Sequence, residues 1–207
     1  MTGWTCHKGV AVALPIENVD TDQLIPARFM SAPRSQGYGS YLLYDMSHDE
    51  AGELVPEFPL NRHPGASVLV SRRNFGCGSS REAAVYALVD HGIRTVIAPS
   101  FGDIFAANAI NNGLLPARVE ADAVEAVIAA LGTSQAEAVV NLETGSTRIG
   151  DHELSFHLEE EQRNKLANGW DDIDLTQSHE DVIGAFKQDY ARRVPWARPA
   201  GAQNFAT

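Results

Sequence analysis

Residues 65–92 read GASVLVSRRNFGCGSSREAAVYALVDHG, and this stretch decides the fold. It opens on a short β-branched run, the pattern of a buried strand. From Ser79 an alanine-rich segment reads as a helix, with Gly92 as its stop signal. The glycines and serines between them make the turn. Working outward, IRTVIAPS (93–100) is a second strand and FGDIFAANAINNG (101–113) a second helix closed by Gly113. LLPARV (114–119) is a third strand. Strands alternating with helices at this spacing imply right-handed crossovers and a parallel core.

The flanks add to that core. In ADAVEAVIAAL (121–131), Val124, Val127, Ile128 and Leu131 fall on one helical face. Residues 138–158 alternate around Thr144-Gly145-Ser146 and Gly150-Asp151, which predicts antiparallel strands. Upstream, HKGVAVALPIENVDTDQLIP (7–26) begins as a strand and ends in an acidic turn from Asn18 to Asp22. SAPRSQGYGSY (31–41) reads as a mobile loop, serving function or linkage. Residues 179–193 predict a helix, and 194–207 are expected to fray. The expectation is one α/β domain over residues 1–207, with antiparallel additions and a helical C-terminal extension from about residue 160.

Composition narrows the function classes. A formal charge of −11 argues against nucleic acid, which needs clustered Lys and Arg. It leaves room for a small anion held by a few local arginines. No run approaches the roughly 18 apolar residues of a membrane span, and the N-terminus lacks the pattern of a signal peptide. A cytoplasmic location is expected. Cys6 and Cys77 have no metal-ligand spacing, and no metal site is expected on this chain. A [4Fe–4S] cluster needs about three or four thiolates, so any cluster chemistry requires a second chain.

The glycine–serine turn supports two readings. With Ser79 as N-cap, Glu82 falls at N3 and completes a capping box, which accounts for both residues. It leaves Gly76, Gly78 and Arg81 unexplained, since a cation is unfavourable at a helix N-terminus. An anion site accounts for them: glycines admit a ligand close to the backbone and first-turn amides point at it. Arg81 adds a guanidinium fork, and a serine there has its alkoxide stabilised. Phosphate and carboxylate both remain open.

NVDTDQLIP (18–26), the block 65–82, VIAPSFGDIF (96–105), NNGLLP (111–116) and NGWDDIDLTQSHED (168–181) occur in this order. Together they resemble the small subunits of bacterial 3-isopropylmalate dehydratases, in the aconitase superfamily, from about residue 4 to about residue 196. The resemblance implies a swivelling β/β/α domain of the aconitase type, docked over a large subunit that carries the [4Fe–4S] cluster. That pair interconverts 2- and 3-isopropylmalate, small hydroxy-dicarboxylates of leucine biosynthesis. It implies Ser79 as the base that takes the proton α to a carboxylate, and Arg81 as a substrate-binding arginine. Ser80 and Gly78 would line the same site. Asp22 would position a partner catalytic group, and Arg34, with Tyr38 beside it, would discriminate substrates.

One position departs from the pattern: Ala83 stands where the family has histidine. This keeps open a sister dehydratase for homoaconitate or a methylated malate, or a non-catalytic carboxylate-binding subunit. The seven histidines are scattered; only His152 and His157 share a predicted hairpin. Cys77 reads either as a small buried filler or as an oxidation-sensitive thiol beside the anion pocket.

Overall fold

The apolar run after His7 forms strand β1 (Cys6–Leu14) in the computed structural model, which describes residues 2–197. The chain then passes through three single-turn helices: α1 (Thr21–Leu24), α2 (Tyr44–Ser47) and α3 (Pro59–Arg62). The unit expected from residues 65–119 follows as β2 (Val68–Ser71), α4 (Glu82–His91), β3 (Thr95–Ala98), α5 (Asp103–Asn111) and β4 (Leu115–Arg118). Helix α6 (Ala121–Leu131) leads to β5 (Gln135–Asn141), β6 (Ser146–Ile149), β7 (His152–Ser155) and α7 (Glu160–Asn168).

Strands β1 to β7 share one sheet in the order β4-β3-β2-β1-β5-β6-β7. The first four run parallel and the last three antiparallel, with β5 laid against β1 in the register Ala11 to Ala136. Both faces of the parallel half are covered, which is why β2 and β3 are buried along their whole length. Val12, Leu14, Leu69 and Val96 face one core with Leu24, Phe58, Phe75, Val85 and Phe105. Ala11, Val68, Val70 and Ile97 face the other with Val124, Val127, Leu131 and Leu166. The predicted stripe of α6 is thus the buried one.

The chain divides into two compact units after Asp171. The helical extension read from about residue 160 divides with it. Helix α7 belongs to the first unit, where Leu166 is fully buried and its carbonyl accepts from the Trp4 amide. The second unit contains α8 (Asp172–Gln177) and α9 (Glu180–Arg193), and on α9 Asp189 pairs with Arg193 at 2.7 Å. Residues 198–207, part of the tail expected to fray, lie outside the described residues.

Candidate functional site

In open α/β sheets, ligand sites form beyond the carboxyl ends of the parallel strands. Here the segments leaving β1, β2 and β3 meet at that edge. Isolated bridges join Asp20 to Cys77 and Phe75 to Phe101. The Gly76 amide donates to the Val19 carbonyl at 2.7 Å, and the Thr21 amide to the Cys77 carbonyl at 3.0 Å. The Thr21 hydroxyl donates to the Ser79 carbonyl at 3.0 Å. The acidic turn and the glycine–serine turn are therefore one backbone assembly, brought together from 58 residues apart.

The capping box expected at Ser79 does not form. Helix α4 begins at Glu82 with Arg81 as its N-cap, and no side chain caps it. The reason is local geometry: the Arg81 amide donates to the Ser79 carbonyl at 2.8 Å, a tight turn that delays the helix by two residues. Glu82 instead accepts from Asn112 of the α5 C-terminus at 2.9 Å. A capping box forms instead at α1, where the Asp20 carboxylate accepts from the Gln23 amide and the Gln23 side chain accepts from the Asp20 amide. An uncapped ten-residue helix leaves first-turn amides as donors, which is the chemistry of an anion site.

Arg81 forms an ion pair through Nη1 with Asp22 Oδ1 and is about four-fifths buried. The contact uses one nitrogen, so the rest of its guanidinium edge remains available. The exposed Ser79 and Ser80 hydroxyls lie on the same turn. Gly78 takes a left-handed φ of 92° there, and a Cβ on it would meet Asp20 Cβ and Thr21 Oγ1 at ordinary contact distances of 3.6 and 3.7 Å. Gly76 is different: a Cβ on it would run into the Phe105 ring, so it serves packing and not ligand approach.

Arg34 is not brought into this set. Its guanidinium grips Asp90 with both Nη atoms, Nη2 to Oδ1 at 2.8 Å, and lies 4.4 Å from the centre of the Tyr86 ring. Asp90 also accepts from the Tyr38 amide at 2.7 Å. Nine residues of helix separate Asp90 from Arg81, about 13 Å of rise. The loop read as mobile is folded into 3-10 turns and pinned to α4 through this contact. The sequence reading missed both Asp90 and Thr21, whose partners lie 56 and 58 residues away and leave no local signal.

Burial, with the nearby Asp20 carboxylate, pushes the Cys77 thiol up, which keeps it protonated and slow to oxidise. Ala83 packs its methyl against the apolar core beside α4. His157 pairs with Glu159 at 2.9 Å. Among the described residues no three His, Cys, Asp or Glu side chains converge as a metal site. Cys6 starts β1 and Cys77 follows the far end of β2, so their thiols do not fit an iron–sulfur cluster. Among the described residues no helix is long and apolar enough to cross a membrane.

The chain is similar to several known proteins. The family model of the aconitase C-terminal domain matches residues 1–122. The 3-isopropylmalate dehydratase small subunit of Shewanella oneidensis is 45% identical over 205 residues, covering 96% of this chain and all of that protein. Its counterpart in Shewanella sp. (strain ANA-3) is 46% identical over 201 residues, 94% of this chain and 98% of that one. The crystal structure of 3-isopropylmalate dehydratase (leuD) from Methanocaldococcus jannaschii superposes with a TM-score of 0.64 at 27% identity, covering 88% of this chain and 99% of that chain.

Proposed function

The chain belongs to the family of 3-isopropylmalate dehydratase small subunits, and from that premise we propose that it is one half of a hydro-lyase interconverting 2- and 3-isopropylmalate in leucine biosynthesis. Its partner is a separate large subunit that carries a [4Fe–4S] cluster, and both work in the cytoplasm. The Lewis-acid assistance to the departing hydroxyl falls to that cluster, and no step assigned to this chain passes through it.

The observation that carries the reading is the uncapped start of α4 beside Arg81 and two free serine hydroxyls. Arg81 binds one carboxylate of the substrate through the guanidinium edge that Asp22 leaves open. Ser79 takes the proton from the carbon α to that carboxylate. The C–H electron pair becomes the new C=C bond as the neighbouring C–O bond breaks, and the departing hydroxide becomes water with a proton from an acid on the large subunit. The Arg81 charge and the first-turn amides favour the serine alkoxide that this requires. In the reverse direction the same hydroxyl returns the proton.

Ser79 and Ser80 are exposed, and a proton abstraction of this kind needs water excluded. A second surface closing over the turn meets that need, which supports a catalytic role only in the assembled enzyme. The Ala83 methyl turned to the core is compatible with activity, because the reading assigns no step to that position. The test is turnover of 2- and 3-isopropylmalate by the chain alone, by the large subunit alone and by both together, reconstituted without oxygen. The reading expects the unsaturated intermediate only from the pair. Assembly without turnover, or turnover of homocitrate or a methylmalate in preference, would overturn it.

A further inference from the structure

We infer that Thr21 is the positioning residue for Ser79, an inference that rests on the reading of Ser79 as the base. Ser79 has little else to hold it: its side chain is exposed, and Gly78 before it is left-handed. What restrains it is its carbonyl, which accepts from the Arg81 amide at 2.8 Å and from the Thr21 hydroxyl at 3.0 Å. The first bond is internal to the turn and moves with it. The second ties the turn to the rest of the fold, because Thr21 is 2% exposed and anchored on both sides. Its amide donates to the Cys77 carbonyl, and its own carbonyl accepts from the Ile25 amide. The Asp20–Gln23 capping box fixes the turn that carries it.

The next residue completes the device. Asp22 meets Arg81, so two successive side chains of one capped turn hold the base and the anion-binding arginine in register. A hydroxyl is required at position 21, because the group it must reach is a carbonyl oxygen and only a donor can hold it. Loss of that donor leaves the carbonyl satisfied by the Arg81 amide, so the fold tolerates the change while Ser79 gains freedom. A base displaced by an ångström loses about 10²-fold in rate.

The experiment compares wild type, Thr21→Val and Thr21→Ser in the assembled enzyme, with Ser79→Ala as control. Valine keeps the volume and removes the donor; serine keeps the donor. The expected result is a kcat lower by about 10- to 100-fold for valine with KM little changed, an unchanged melting temperature, and recovery of most of the rate with serine. In the isolated chain, the Arg81 amide should exchange with deuterium faster in Thr21→Val than in wild type. A wild-type kcat in Thr21→Val, or equal losses in the valine and serine variants, would overturn the inference. Unaltered exchange at Arg81 would count against it equally. Full turnover by Ser79→Ala would remove the base itself, a separate failure that the control identifies.

Discussion

Gly76 and Gly78 flank Cys77 and both have positive φ, 71° and 92°, yet the structure gives them different jobs. Gly76 faces the Phe105 ring, which is 3% exposed and packs against Phe75 with ring centres 5.5 Å apart. At Gly78 a Cβ would meet the Asp20 Cβ at an ordinary 3.6 Å. Alanine at either position bears the left-handed backbone cost, roughly 1–2 kcal/mol. At Gly76 it also overpacks the core, at roughly 1–3 kcal/mol. Gly76→Ala should therefore lose about 2–5 kcal/mol, a melting-point drop of roughly 4–20 °C for a chain of this size. Gly78→Ala should lose only the backbone share. The assay is urea unfolding and thermal melting of both variants, with Phe105→Leu added to each. Trimming the ring makes room for the new methyl, so Gly76→Ala and Phe105→Leu should lose less together than the sum of their separate losses. Equal losses at the two glycines, or strict additivity with Phe105→Leu, would refute the packing argument.

Three further outcomes follow from contacts already described. Asp90→Ala removes the grip on Arg34 and the Tyr38 amide, so trypsin should cut after Arg34 faster than in wild type; an unchanged cleavage rate would mean that the loop is held by other contacts. The Cys77 thiol is pushed up by burial while Cys6 is exposed, so iodoacetamide near neutral pH should label Cys6 first, read by mass spectrometry. His7, whose Nε2 contacts the Ser67 hydroxyl at 2.8 Å, has its pKa lowered by burial and then by Arg94. The folded chain thus binds that proton more weakly than the unfolded one. This share of stability is whole above the ordinary value of 6.5 and is lost as pH falls through the lowered folded value. His7→Gln should flatten the acid side of a plot of melting temperature against pH.

The elements with a strong local pattern were legible in the sequence. The β2-α4-β3-α5-β4 run follows from apolar strands, helical spacing and the glycines at 92 and 113, and the α6 stripe faces the core as its periodicity predicts. Both antiparallel turns around Gly145 and Gly150 formed where the alternation put them. What escaped was set by partners distant in sequence. A serine three residues before a glutamate is a valid capping signal, but the Ser79 carbonyl is claimed by Thr21 and by the tight turn to Arg81. The loop at 31–41 has the composition of a mobile segment, and only the carboxylate of Asp90 on a helix far along the chain gives it a fixed shape. The insertion of β5 beside β1 is likewise a long-range pairing that no local pattern encodes. Ser79, Ser80 and Arg81 were legible as one turn at the start of a helix, and the pairing of Asp22 with Arg81 was not.

Ser79 is the group proposed to move the proton. The most direct measurement follows exchange of the substrate's α-hydrogen with deuterated water in the assembled enzyme, comparing wild type with Ser79→Ala at matched assembly and substrate binding. Exchange is expected in wild type and should be lost, by several orders of magnitude, in the alanine variant, with both binding the dicarboxylate through Arg81. Exchange at the wild-type rate in Ser79→Ala would contradict it, and the glycine–serine turn would then bind the substrate without performing its chemistry.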